Sequence, residues 1–434
     1  MAAALGVGPE PALLGLWADA AQVHALLLDR ATGTPHLASV PVEGGAFPAL
    51  SPARPAAAWF ERMIHDLWGH HATGGTDARP WLDHGHWPAT PPMAARPAPR
   101  EGAPPHAVFL PATAPGLHIL PLGPVRGGIT AAAHLRLSCA GGRIVRAEAR
   151  LGYTHRGIPL LMRGKSPRAA ARFVARLAGE ATVAHATAFA RAAEAALDTE
   201  APPRAAALRD AMLLMERTAN HLGTLAAIAA AAGAASAAAE CERAREMLAR
   251  AAEAAFGHRM MMDAVVPGGL VADIAPDGVP AVRAAATAVL DALQAIGRRF
   301  AATDLAGIGC VEAGTAADFG APDALAGDVA ARAAARLRSA GEAAAALVPA
   351  LADVPDGPLS VALPVGSGEG LAAAGSDPVW HWLRLDGGLI AACFPLDPGW
   401  LTWPVLEAAL AGAAAEDASP IAASIGASVA GVDL

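Results

Sequence analysis

The sequence predicts an α+β protein: a small N-terminal α/β module, then β hairpins leading into a bundle of long helices. Three observations carry this reading. Seven prolines crowd residues 88–105 of the 434-residue chain, which marks a boundary. Short, partly alternating apolar runs fill 107–151. Helical spacing then dominates from Ile158 to Ala302. A chain of this length needs at least two domains. The boundaries are a module at 1–87, a linker at 88–106 and a main domain at 107–434.

Within the first module, Leu26-Leu27-Leu28 suits strand or helix. Trp59–Gly69 places Phe60, Met63, Ile64, Leu67 and Trp68 at helical spacing. The linker is expected to be extended. In the main domain 107–111, 117–123, 134–139 and 143–151 read as strands, with Gly141-Gly142 as a hairpin turn. Ser166-Pro167 reads as an N-cap followed by proline at the first helical position. Helices are expected at 167–196, 203–233, 236–256, 279–303 and 323–352, with a late one near 403–413. Residues 222–239 carry no charge. They are mostly Ala and Gly, which suits a closely packed buried helix better than a membrane span of about 20 apolar residues.

Composition narrows the function. Hydrophobic residues make up 54% and aromatic residues only 4%, so Leu, Val, Ile and close backbone packing must build the core. The 45 glycines and 36 prolines follow no repeat, as in a loop-rich globular chain. A net charge of −8 argues against a nucleic-acid partner, and residues 385–434 hold no Lys or Arg. Cys139, Cys241, Cys310 and Cys393 are far apart with no C-x-x-C. The usual zinc and iron–sulfur spacings are therefore missing. Met1–Leu16 lacks a basic segment ahead of its apolar residues, so a cytoplasmic protein is expected.

Three local patterns have a bland and a sharp reading. Gly366-Ser367-Gly368-Glu369-Gly370 is not a dinucleotide motif and reads as a turn. His65, His70, His71, His84 and His86, with Asp66, Asp77 and Asp83, are either polar loop residues or an adventitious metal site. The best ligand pair would be His84-x-His86 on one face of a strand. Arg168, Arg172 and Arg176 form a basic stripe, by default solvated and alternatively a docking face.

The most informative stretch is 123–157. It holds Gly123-Pro124, His134-x-Arg136, the hairpin and Gly152-Tyr153-x-His155-Arg156-Gly157. Glu216-Arg217-x-x-Asn220-His221, Gly257-His258-Arg259 and Pro267-Gly268-Gly269 follow in order, and the sequence ends Gly431-Val432-Asp433-Leu434. The series resembles the large subunit of group 4, energy-converting nickel–iron hydrogenases, and is similar to the 49-kDa subunit of respiratory complex I. In the first module, Glu61-Arg62, His65-Asp66-Leu67-Trp68-Gly69, Asp77-x-Arg79-Pro80 and Trp87-Pro88 are similar to the 30-kDa subunit of complex I. That module is fused to the large subunit in formate hydrogenlyase. The resemblance implies a main domain of hydrogenase large-subunit type.

The departures carry as much as the matches. The hydrogenases hold nickel and iron with four thiolates, one C-x-x-C pair near each end. The matching positions here are Ala178 and Ala181 and, after Pro420, Ile421 and Ser424. An acidic residue three before the first-motif histidine is Ala131. Alkyl groups cannot ligate a soft metal, so no metal centre and no cofactor held by this chain are expected. Complex I places a quinone headgroup in the vacated space. By that resemblance His134, Arg126 and His185 are candidates for a quinone or substrate cavity, although Tyr153, the chain's single tyrosine, belongs to another motif.

The resemblance also makes Tyr153, His155, Arg156, Glu216, Arg217, His221 and His258 candidates for a coupling network. Glu216 is expected to pair with Arg156, Arg217 or His258; the alternative role is fixing helix register. The implied function is a nickel-free, hydrogenase-like subunit of a membrane-associated oxidoreductase complex. It would dock an iron–sulfur small subunit and couple electron transfer to antiporter-like membrane subunits, lying peripherally on the cytoplasmic face of the inner membrane. The alternatives are a quinone-reducing subunit and a non-catalytic scaffold or maturation factor.

Overall fold

The structure, a computed structural model, describes residues 11–100, 109–125 and 131–434. It opens with an antiparallel meander of β1 (Ala12–Ala18), β2 (Gln22–Leu28) and β3 (Pro35–Pro41). Leu26-Leu27-Leu28 is therefore strand. The short β4 (Ala46–Pro48) and β5 (His71–Thr73) pair in parallel, and α1 (Ala57–Trp68) connects them. Phe60, Met63, Ile64 and Leu67 of α1 are buried, as their spacing predicts. Gly69 closes the helix at φ 75°, a left-handed conformation that glycine adopts without a Cβ clash.

The proline-rich segment is not an extended tether. β6 (Ala89–Thr90) pairs with β7 (Ala98–Pro99), and the Met93 N–H between them donates to the Leu67 carbonyl at 2.9 Å. Met93 itself is buried in a hydrophobic core that includes residues from Leu13 to Leu434. Trp17 of the first meander stacks on Phe394 with ring centroids 5.5 Å apart. The apolar faces at the two ends of the chain thus bury one another, which burial of aromatic area favours.

The main domain begins with β8 (Leu117–Leu122), β9 (His134–Ala140) and β10 (Arg143–Arg150), an antiparallel sheet with β9 in the middle. Gly141 and Gly142 turn the hairpin at φ 54° and 83°. Of the strand expected at 107–111, the described part, Phe109–Pro111, is irregular. The helical region comprises α2 (Ile158–Met162), α3 (Pro167–Val174), α4 (Thr182–Ala196), α5 (Pro203–Ala231) and α6 (Ala235–Phe256). A small ribbon, β11 (Val265–Val266) and β12 (Gly269–Leu270), precedes α7 (Gly278–Phe300), α8 (Ala313–Asp318) and α9 (Val329–Ala352).

Ser166 caps α3 as expected, its hydroxyl accepting from the Ala169 N–H at 3.3 Å. The single helix expected at 167–196 is broken, however. The α-helix stops after Val174; Ala178 is extended at φ −139° and ψ 127°, and Gly179–Ala181 form a short 3-10 turn before α4. The uncharged run 222–239 is likewise not one helix. It closes α5, turns at Gly233 (φ 73°) and opens α6. α7 is long and apolar enough to cross a membrane; here it packs against α6 and α9.

The chain finishes with the antiparallel sheet β13 (Gly368–Ala374), β14 (Val379–Asp386) and β15 (Leu389–Leu396). Then come α10 (Gly399–Leu410), α11 (Ala418–Ile425) and α12 (Ala430–Asp433). The late helix starts at Gly399, earlier than expected, and encloses Pro404. The glycines at 366–370 form more than a turn. Gly368 and Gly370 belong to β13 and let it approach α4 so closely that a Cβ would sit 1.9 Å from the Ala196 and Ala192 carbonyl oxygens.

Candidate functional site

The two segments that carry the positions expected from the resemblance to correspond to metal ligands, Ala178 with Ala181 and Ile421 with Ser424, approach one stretch of α5. Ala178 is buried in the turn before α4, and the Asn220 amide of α5 donates to the carbonyl of Glu180 in that turn. Ile421 and Ser424 are fully buried on α11, and a Cβ on Gly426 would lie 3.7 Å from the Thr224 methyl of α5. Between Asn220 and Thr224 sits His221.

None of these four side chains offers a thiolate, and the serine is already engaged. Arg332 of α9 is 1% exposed. Its Nε donates to the Ser424 hydroxyl at 2.9 Å, and its Nη groups donate to the Gly327 and Gly309 carbonyls at 2.6 and 2.9 Å. One turn along α9, Arg336 donates to the Ser424 and Ile425 carbonyls, both at 3.0 Å. Burial lowers the Arg332 pKa to about 10, so the group stays cationic at neutral pH. Neither His221 ring nitrogen has a hydrogen-bond partner among the described residues. Burial, with Arg336 and Arg217 nearby, pulls its pKa down to about 3 and keeps it neutral.

A second construction joins the Gly152–Gly157 motif to the last residues. The Asp433 carboxylate, fully buried, accepts from the Gly152 N–H at 2.7 Å, the Thr154 N–H at 2.8 Å and the Thr154 hydroxyl at 2.6 Å. His155 Nδ1 bonds the Asp433 carbonyl at 2.6 Å, and the Arg156 and Gly157 N–H groups donate to the Leu434 carbonyl at 3.0 Å. Arg156 then bridges the two segments, donating to the Arg176 and Leu177 carbonyls at 2.6 Å and to Ala430 at 3.2 Å. Tyr153 packs against His84 instead, the rings tilted by 48° with centroids 4.4 Å apart.

The expected pairing of Glu216 with Arg156, Arg217 or His258 does not form. Glu216 accepts from the Val183 N–H at 2.6 Å and the Ala184 N–H at 2.9 Å. The reason lies in α4, whose N-cap, Ala181, has no side-chain acceptor for the first-turn amides. Glu216 supplies that acceptor from α5. Burial nevertheless dominates and raises its pKa to about 8, with Glu180 adding repulsion. Arg217 turns the other way, donating to the Ser339 hydroxyl at 2.6 Å. His258 is exposed and its Nδ1 accepts from the Met260 N–H at 3.1 Å. The seven candidates thus do not form one network.

The cavity candidates also separate. Arg126 lies outside the described residues. His134 starts β9 and packs edge-on against Phe109 at 4.9 Å, and its Nε2 has no hydrogen-bond partner among the described residues. His185 on α4 is fully buried elsewhere, with Nδ1 3.0 Å from His381 Nε2 and Nε2 3.2 Å from Asp397 Oδ2. Neither histidine lines the 270 Å³ cavity between α5 and α6 or the 130 Å³ cavity beside α1.

The histidine-rich segment does not gather a ligand set. His84 and His86 are not on a strand, His84 bonds the Leu151 carbonyl, and His70 Nε2 bonds the Asp19 carbonyl at 2.9 Å. Among the described residues no three His, Cys, Asp or Glu side chains converge as metal ligands. In the arginine stripe, Arg176 lies beyond α3 and makes a bidentate pair with Asp263 at 2.6 and 2.7 Å.

Several residues escaped the sequence reading: Arg332, the His185–His381–Asp397 chain and the buried Arg209–Glu194 pair at 2.7 Å. Arg332 and Arg336 were detectable as an i, i+4 pair in an alanine-rich stretch. His381 and Asp397 had no local signal, since strand and loop bring them to His185 from about 200 residues away.

Comparison with known proteins finds relatives in sequence and in fold. Residues 156–255 match the nickel-dependent hydrogenase family. The chain is 29% identical over 246 residues to hydrogenase-4 component G of Escherichia coli K12, covering 55% of this chain and 44% of that protein. It is 28% identical over 240 residues to formate hydrogenlyase subunit 5 of the same organism, covering 53% and 42%. The chain thus matches less than half the length of these relatives. In fold it resembles a chain of the membrane-bound sulfane sulfur reductase, an archaeal respiratory membrane complex. The TM-score is 0.65 at 20% identity, over 74% of this chain and all of that one.

Proposed function

Starting from a chain with a hydrogenase large-subunit family domain, we propose a nickel-free subunit of a membrane-associated respiratory complex related to formate hydrogenlyase. One observation carries the reading: the four ligand positions hold Ala178, Ala181, Ile421 and Ser424, and the Ser424 hydroxyl is held by the buried Arg332 guanidinium. A nickel–iron centre does not fit these residues. Three are hydrocarbon, and a buried cation beside the fourth opposes a second cation.

In this reading the chain contributes shape and docking surface. Electrons pass through an iron–sulfur cluster in a partner small subunit, and antiporter-like subunits anchor the assembly at the cytoplasmic face of the inner membrane. The names of the similar proteins, a hydrogenase component, a formate hydrogenlyase subunit and a respiratory membrane complex, support such an assembly. Quinone reduction in the vacated space has less support, because His134 and His185 lie in separate surroundings.

The test is affinity purification of the tagged chain from gently solubilised native membranes, with mass spectrometry and metal analysis of what is recovered. The expected result is an iron–sulfur small subunit together with membrane proteins, and no stoichiometric nickel. Recovery of the chain alone, or with maturation factors in the soluble fraction, would sink the complex-subunit reading. One nickel per chain would sink the nickel-free part.

A further inference from the structure

We propose that the cavity between α5 and α6 is a binding site for a small organic monocation, an ammonium or amidinium carried on an apolar body. The cavity measures about 270 Å³ and adjoins the turn before α4 through Gly179. It exists because Ala219, Ala249 and Ala252 face it where larger side chains would close the gap. Met215, Leu248, Met260 and Met261 give it an apolar wall. Thioether side chains adapt readily to the shape of a bound apolar group.

The charge balance selects the ligand. Two carboxylates of α6 line the cavity and both are neutralised: Glu242 by Arg245 at 3.5 Å, and Glu246 by Arg250 at 2.8 Å and by Arg259. His258, in the loop after α6, is committed to the amides of Met260 and Met262. Glu216 also lines the cavity, and among the described residues it has no cationic partner. Its hydrogen bonds come from two backbone amides, and the charge that acts on it is the negative Glu180. Glu216 is thus the one carboxylate of the wall with no guanidinium beside it among the described residues.

Below pH 8 a proton neutralises Glu216, whose pKa burial raises to about 8. An ammonium or amidinium would replace the proton and pair with the carboxylate, while its body covers the methionines. A neutral ligand leaves the balance as it is. An anion adds a second unpaired negative charge in a partly dry site, which is costly.

The experiment is titration calorimetry on the full-length chain with benzamidine as the probe and benzamide and benzoate as matched neutral and anionic controls. Benzamidine should bind one per chain, with both controls about tenfold weaker or worse. Raising the pH by roughly two units through 8 should tighten benzamidine binding about tenfold, because Glu216 then gives up its proton at no cost to the ligand. Glu216→Gln should weaken binding about tenfold and remove that pH dependence. Ala249→Trp fills the cavity and leaves Glu216 in place, so it should abolish binding with the fold intact. Equal binding of benzamide, benzamidine binding untouched by either substitution, or no binding by the unaltered chain above pH 8 would overturn the proposal. The outcome is independent of whether the chain belongs to a membrane complex, since no partner enters the measurement.

Discussion

Two regions meet at Arg156 and are built in opposite ways. Where residues 152–157 meet 430–434, a buried carboxylate finds three donors and both carbonyls at the chain end are met. At Ala178, Ala181, Ile421 and Ser424 the side chains are methyl, alkyl and one hydroxyl, and the polarity beside them comes from guanidinium groups reaching in from α9. The first region is a closed polar network, in which every buried group has a partner. The second is apolar, with a buried cation at one side of it. Neighbouring segments can therefore be fastened in two ways, by a buried carboxylate of their own or by guanidinium groups reaching in from another helix.

The comparison breaks most readily at Asp433. Asp433→Ala strands the Gly152 and Thr154 amides and the Thr154 hydroxyl in a buried site, and should cost about 3–5 kcal/mol of folding stability. Urea unfolding measures it, and an unchanged midpoint would mean that the clasp does not hold the two segments. Arg332→Met should cost less, about 2–3 kcal/mol, because the lost hydrogen bonds are offset by removing a buried charge. A variant as unstable as Asp433→Ala would show that the second region is as tightly organised as the first.

The third test is the pH profile. Glu216 has a folded pKa of about 8 against an ordinary 4.5, so the unfolded chain releases its proton first. Its contribution to stability therefore falls as pH rises from 4.5 towards 8 and is level above that. Glu216→Gln should remove this fall, flattening the melting temperature over that window by about 5 °C at most. His221, lowered from 6.5 to about 3, acts in the opposite sense, with stability lost as pH drops from 6.5 towards 3. Thermal unfolding of the variant should keep this acid-side loss. If Glu216→Gln removed that loss too, the two groups would have been assigned wrongly.

Much of the fold was legible in the sequence. α5 and α6 fall within two residues of their expected bounds, since 3.6-residue periodicity is a local property. The break at 175–181 was not, because alanine favours helix and the departure is imposed by contacts with α5 and the chain end. The proline-rich segment misled for a related reason: Met93 docks into the core, a long-range contact that composition does not encode.

The site divides in the same way. The sequence by itself determined what the ligand positions cannot do, because a methyl or alkyl group lacks a donor pair wherever it lies. It also marked the motifs at 152–157 and 431–434 and the helix bearing Glu216. Only the tertiary structure decided how they join. Asp433 anchors the first motif across about 280 residues, Glu216 caps α4 instead of pairing with arginine, and Arg332 takes the hydroxyl of Ser424. The physical reason is that burial and hydrogen-bond satisfaction are settled by whichever groups the fold brings together, and a buried polar atom must take the partner within reach.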